Sequence, residues 1–210
     1  MKNILCYGDS NTWGYIPGGK GRYEYAVRWT GAAQRLLGDG YRIIEEGLNG
    51  RTTVFDSPFD GSLLNGKSHL MCCLMSHAPL DAVVIMLGTN DLMHSHTAWE
   101  ASRGCITLSR MVMNGALHFN AHTPRLLLVS PIHIGREIAE TDQSPLSVSG
   151  YEESLKFAPL YEQAAARIGI DFLDAAKYAE PSPVDNEHMD AEGHAALAAA
   201  IADKLKTMLG

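Results

Sequence analysis

The chain has 210 residues, 46% of them hydrophobic, which suits one packed core near the upper end of usual single-core size. Its 17 basic residues stand against 24 acidic ones for a formal net charge of −7. No Lys/Arg-rich run offers a grip to a phosphate backbone or an anionic membrane surface, so neither nucleic acid nor membrane is an expected partner.

No apolar stretch approaches the ~18 residues of a membrane span. Met1-Lys2-Asn3 runs straight into an apolar strand with no secretory h-region, and the expected location is the cytoplasm. The four cysteines, Cys6, Cys72, Cys73 and Cys105, agree with a reducing compartment. Adjacent Cys72 and Cys73 cannot both serve an ordinary disulfide framework without strain, and free, mostly buried thiols are expected.

In chain order, a strand is predicted over Lys2–Tyr7, broken at Gly8, which delivers Ser10 at once onto a turn. A helix near Val27–Leu37 ends at Gly38, and a strand follows over Tyr41–Glu46. A helix near Ser62–His77 stops before Pro79, and the next strand runs over Ala82–Leu87. A helix near Ala98–Phe119 leads to a strand at Arg125–Ser130. The helix near Tyr151–Ile168 should be kinked or split by Pro159, which lacks a backbone N–H. A strand at Ile170–Leu173 precedes the last helix, Ala191–Leu209, with Asp190 as N-cap and Leu197, Ile201, Leu205 and Met208 forming one core-facing stripe.

The runs Ala82–Leu87 and Leu126–Val129 are apolar throughout rather than alternating, the pattern of parallel strands covered on both faces. Helix-patterned stretches between the strands supply the crossovers, so the fold class is α/β with a five-stranded parallel sheet. No repeat, low-complexity tract or linker divides the chain, and residues 1–210 are expected to form one domain. The long loops at Gly14–Tyr25, Thr52–Asp60 and Ile132–Gly150 are the expected pocket builders on one rim of the sheet.

Gly8-Asp9-Ser10 alone is ordinary turn chemistry. Two distant segments, Gly88-Thr89-Asn90-Asp91 and Asp185-Asn186-Glu187-His188, supply the partners that a nucleophilic serine needs. A hydroxyl attacks poorly until a base takes its proton, and a histidine serves best when a carboxylate fixes its tautomer and steadies the imidazolium. Asp185 and His188, three apart on a turn before the last helix, can present the carboxylate to Nδ1 and aim Nε2 at the sheet mouth where Ser10 emerges. An isolated Asp-x-x-His is more often a solvated pair at a helix start; its coincidence with the serine turn decides for a triad. Asn90, directly after a buried strand, offers its side-chain NH2 to a developing oxyanion, with the backbone N–H groups of Ser10 and Gly50 as companions. Asn49-Gly50 is a turn dipeptide in any case, so Gly50 also supplies a positive φ. Asp9 and Asp91 are read as capping and bracing residues.

The set Gly8-Asp9-Ser10, Asn49-Gly50-Arg51-Thr52-Thr53, Gly88-Thr89-Asn90-Asp91 and Asp185-x-x-His188 resembles, in order and spacing, the SGNH (GDSL) hydrolase family over nearly the whole chain. The longer strings Ile4 to Tyr15, Arg28 to Gly31, Ile44 to Thr53 and Ile85 to Asp91 resemble its arylesterase and acyltransferase branch. The resemblance implies a three-layer α/β/α, flavodoxin-like fold. It implies Ser10 as nucleophile, His188 as base, Asp185 as orienter, and Ser10, Gly50 and Asn90 as the oxyanion hole, with no metal or organic cofactor. It also implies a homo-oligomer whose neighbouring subunits narrow the entrance.

Other residues point both ways. His69, Cys72, Cys73 and His77 share one helix at near-ligand spacing, yet a zinc site wants ligands that converge and a better separated cysteine pair, so helix packing is expected and no metal. Trp13, Tyr15 and Trp29 are candidate walls of the substrate pocket, although aromatic residues near a sheet edge are more often core. His94 and His96, just beyond Asn90, are candidates for the pocket entrance. Gly18-Gly19-Lys20-Gly21 lacks the spacing of a phosphate loop. The expected function is a serine esterase that hydrolyses short-chain, acetyl-type esters of small molecules through an acyl-enzyme on Ser10, with alcohol able to replace water. A carbohydrate O-deacetylase or thioesterase would use the same machinery; a flavodoxin-like binding module with an idle triad is the reading from another class.

Overall fold

The computed structural model describes residues 1–58, 60–119, 122–141 and 148–210. Residue 59 of the loop expected over Thr52–Asp60 and residues 142–147 of that expected over Ile132–Gly150 lie outside the described residues. Strands β1 (Lys2–Gly8), β2 (Tyr41–Gly47), β3 (Ala82–Met86), β4 (Arg125–Ser130) and β5 (Asp171–Asp174) pair in parallel in the order β2-β1-β3-β4-β5. This is the flavodoxin-like order.

The unbroken apolar runs have a direct cause in the pleat. Successive residues of a strand face opposite sides, and here both sides are covered. Leu5 and Tyr7 of β1, Val83 and Ile85 of β3, and Leu126 and Leu128 of β4 enter one core; Ile4 and Cys6, Val84 and Met86, and Leu127 and Val129 enter the other. The first core is closed by α3 (Gly66–His77), α5 (Ala98–Phe119) and α7 (Phe157–Ile168), through residues such as Leu70, Cys105 and Tyr161. The second is closed by α2 (Trp29–Leu37) and α8 (Ala191–Leu209), through Trp29, Ala33, Leu197, Ile201 and Leu205.

Several boundaries move from their sequence-based positions. β1 and β2 each run one residue further, because Gly8 and Gly47 pair in register. β3 stops one residue short, and β5 starts at Asp171 rather than Ile170. The helix expected from Ser62 begins only at Gly66: Ser62–Leu64 form a 3-10 turn, and the Asn65 side chain then caps α3 by accepting from the Lys67 amide at 2.9 Å. The helix expected over Tyr151–Ile168 is two, α6 (Val148–Ser154) and α7. Pro159 lies in the first turn of α7, where a missing N–H costs no helical bond, so the chain restarts just upstream of it. Two short helices are additional, α1 (Ser10–Trp13) and α4 (Thr89–Met93), both too brief to leave a period in the sequence.

All four cysteines are free; Cys6 and Cys105 are buried, whereas Cys72 is exposed. Among the described residues no helix is long and apolar enough to cross a membrane.

Candidate active site

Ser10 owes its position to two glycines. A Cβ on Gly8 would lie 2.1 Å from Thr12 Oγ1 and 2.9 Å from the Met86 carbonyl oxygen, and one on Gly47 would lie 2.2 Å from the Trp13 amide nitrogen. Their absence lets the chain turn back on itself at the end of β1 and start α1 against the neighbouring strands. Asp9 caps this turn: its Oδ1 accepts from the Asn11 amide at 3.1 Å and its carbonyl from Trp13 at 2.8 Å. Ser10 is the first residue of the helix, so its own N–H has no acceptor within the helix. Burial pushes the Asp9 carboxyl up to about 6, although the Asn11 amide and the His188 charge act against that rise.

The order β2-β1-β3 puts three site segments at the carboxyl ends of adjacent strands, the crevice where open α/β sheets bind ligands. Ser10 follows β1, Asn90 follows β3 and Gly50, with φ +76°, sits in the turn after β2. Asn90 is buried and donates one Nδ2 hydrogen to the Arg51 carbonyl at 3.1 Å, which leaves its second N–H for another acceptor. Asp91, behind it, accepts from the Thr53 amide at 3.0 Å and from the Thr53 hydroxyl. Burial pushes Asp91 up to about 7 despite those bonds. The Arg51 guanidinium donates to the Gly8 carbonyl at 2.8 Å and to that of Glu46, and lies 4.0 Å above the Tyr7 ring, so it ties the β1 and β2 ends together. Asp9 and Asp91 therefore cap and brace, as their sequence positions suggest.

The opposite wall comes from the turn before α8. His188 Nε2 lies 2.9 Å from Ser10 Oγ, and His188 Nδ1 lies 2.9 Å from Asp185 Oδ2. The other oxygen of Asp185 accepts from the amides of Glu187 at 3.1 Å and His188 at 3.0 Å, so one carboxylate both closes the turn and orients the ring. Asn11 fastens this turn to the serine helix, donating to the Glu187 carbonyl at 3.3 Å and accepting from the Met189 amide at 3.0 Å. Burial works against a charged His188, but its hydrogen bond to Asp185 and the nearby carboxylates of Glu187, Asp185 and Asp9 outweigh it and hold the imidazole above its ordinary 6.5. Burial likewise opposes ionisation of Asp185, and its hydrogen bonds to His188 win, holding it below the usual carboxylate value. Together these groups can deprotonate the serine and hold the resulting imidazolium.

Beside this relay opens a cavity of about 240 Å³, lined by Tyr15, Gly19, Asp185, Glu187 and His188. Tyr15 lines it, its ring centroid 4.4 Å from that of His188. Trp29 must be corrected: it is fully buried in the α2/α8 core, where a large flat side chain fills the space under the sheet. Trp13 instead lies under the Arg22 guanidinium, 4.8 Å away, bracing the loop after α1. His96 stacks on Phe55 at 3.6 Å, and His94 forms the end of α4; neither lines this cavity. His77 pairs with Glu46 at 2.8 Å rather than with His69 or the cysteines. Sequence reasoning missed Asn11, Arg51 and Glu187; all three sit inside quoted motifs, but only their partners in space give them roles.

The profile of the GDSL-like lipase/acylhydrolase family matches residues 6–196. Among solved structures, the aryl esterase of M. smegmatis is 34% identical, with each chain covered in full and a TM-score of 0.90. Est24, a carbohydrate acetylesterase from Sinorhizobium meliloti, is 37% identical over 99% of this chain and 100% of its own, with a TM-score of 0.88. Among curated proteins, none matches the sequence. With a serine turn, a parallel sheet in this order and a profile match across most of its length, the chain belongs to the GDSL-like lipase/acylhydrolase family, the SGNH hydrolases, and is a carboxylic ester hydrolase.

Proposed function

We propose that the protein is a serine esterase for short-chain, acetyl-type esters, with Ser10, His188 and Asp185 as the catalytic triad and residues 1–210 as one hydrolase domain. The observation that carries this reading is the unbroken relay from Ser10 Oγ through His188 to Asp185, with both links at 2.9 Å. Ser10 Oγ attacks the ester carbonyl as its proton passes to Nε2 of His188. The oxyanion is received by the amides of Ser10 and Gly50 and by the free N–H of Asn90. His188 then gives its proton to the departing alcohol, leaving an acyl group on Ser10. Water, deprotonated by His188, attacks that acyl-enzyme and releases the acid; an alcohol in place of water yields a new ester. No metal or organic cofactor enters these steps. The arylesterase likeness supports a phenolic or simple leaving group, and the carbohydrate acetylesterase likeness supports the same triad acting on an acetylated sugar. The reading includes a homo-oligomer in the cytoplasm.

The test is labelling with a fluorophosphonate followed by mass spectrometry. A single adduct on the Ser10 peptide, absent in Ser10→Ala, is expected. Hydrolysis of para-nitrophenyl acetate by the unlabelled Ser10→Ala variant at the native rate would overturn the assignment.

A further inference from the structure

Glu187 stands out among the groups that the proposed reaction leaves unused. It is an acidic residue only 7% exposed, set in the chain between Asp185 and His188, and it lines the cavity that opens beside them. Its backbone is fully engaged, the N–H with Asp185 and the carbonyl with Asn11. Its carboxylate has neither a hydrogen bond nor an ion pair among the described residues. Its oxygens are not among the fully enclosed polar atoms, so they meet water or a bound group in the cavity that Glu187 lines, and a carboxylate with so little access to water gains from donors supplied there. Asp185 cannot share the duty, because its oxygens already accept from the Glu187 and His188 amides, the His188 ring and the Gly18 amide at 3.2 Å.

We infer that Glu187 is a specificity residue which accepts hydrogen bonds from hydroxyl groups of a polyol leaving alcohol, with the Tyr15 ring as the apolar wall. The inference rests on the serine-esterase reading and names the class of alcohol it favours. The cavity supports it on three counts. It is lined by His188, the residue from which a departing alkoxide must collect its proton. It combines one ring face with one acceptor-only group, the pairing that suits a sugar's C–H face and its hydroxyl edge. And it favours neutral donors over a cation. An ammonium held by Glu187 would sit beside His188 just as the imidazolium forms, and like charges at that range oppose the step, whereas hydroxyls satisfy the carboxylate without adding charge.

The experiment compares kcat/KM for a mono-acetylated methyl xyloside that has a free hydroxyl next to the ester with kcat/KM for para-nitrophenyl acetate, whose leaving group has no donor. The ratio of the two is independent of how much of a variant folds. In Glu187→Gln the ratio should fall about 10-fold, and in Glu187→Ala up to about 100-fold, the range for hydrogen bonds to a charged acceptor. The deoxy analogue of the xyloside should cost the native enzyme a similar factor and the alanine variant little more, closing a double-mutant cycle. An unchanged ratio, with both esters slowed together and a displaced pH–rate midpoint, would overturn the inference and make Glu187 an electrostatic support of His188. A native enzyme that prefers the acetate of a quaternary ammonium alcohol, or that hydrolyses para-nitrophenyl acetate but no acetylated xyloside, would also overturn it. If the native enzyme hydrolysed neither ester, the serine-esterase reading itself would fail.

Discussion

At the scale of single residues, the site depends on protonation states that burial and neighbouring charges set against each other. In the proposed mechanism His188 works as a neutral base, and its partners hold it above the ordinary 6.5. The sign follows: below that raised value the ring is imidazolium and cannot accept from Ser10. We expect kcat/KM for para-nitrophenyl acetate to rise through one ionisation above pH 6.5 and to level off in the mildly alkaline range, read from a pH–rate profile corrected for spontaneous hydrolysis. A maximum on the acid side would instead indicate a pair of carboxylates. Asn90 makes a separate claim. Because one of its N–H groups is spent on Arg51 and the other is free, Asn90→Ala should lower kcat by on the order of 10²–10³ with KM nearly unchanged. A change confined to KM would make Asn90 a ground-state contact.

At the scale of elements, the junction between β1 and α1 is where strand, turn and nucleophile are one device. Gly8 has contacts on every side where a side chain would go, and Gly47 meets the start of the same helix from the neighbouring strand. Gly8→Ala should therefore push α1 off the sheet edge, at a cost of about 1–3 kcal/mol, on the order of 2–10 °C in Tm for a chain of this size. Turnover should fall further than stability, since Ser10 moves with the helix; calorimetry alongside steady-state kinetics checks both. An alanine variant of native stability and full activity would show that the junction tolerates the extra atom. Periodicity located the strands and long helices here because apolar residues repeat over many positions in each. It failed at α1 and α4, whose four and five residues contain no full repeat, and at Asn65, whose cap shortens α3 through a local side-chain bond that no period records.

At the scale of the molecule, the pocket is an opening on the sheet rim rather than a tunnel through the core. The cavity of about 240 Å³ is bounded by Tyr15 and the triad turn, and both cores beneath it are filled. On the short-chain reading, the acyl group is held on the rim beside that opening rather than within either core. Acetyl and butyryl esters of para-nitrophenol should turn over faster than decanoyl esters, measured as kcat/KM below the micellar range. A rate that climbs steadily with chain length would contradict the short-chain reading.

The fold class was legible in the linear chain, and so were the segments that meet at Ser10. Parallel strands covered on both faces must be apolar at every position, and a serine turn, an oxyanion segment and an Asp-x-x-His turn each sit at the end of a recognisable element. The pocket was not legible. Trp29 and Tyr15 are both large aromatic residues near the nucleophile in sequence, yet one fills the α2/α8 core and the other faces His188, because a side chain's destination depends on which way its backbone turns after the strand ends. Glu187 reads as a spacer between Asp185 and His188 until the turn is closed by Asp185 and fastened by Asn11, more than 170 residues away, and only then does it line the cavity beside His188. Local patterns follow from forces between near neighbours; partners so distant in sequence are settled by the packing of the whole chain.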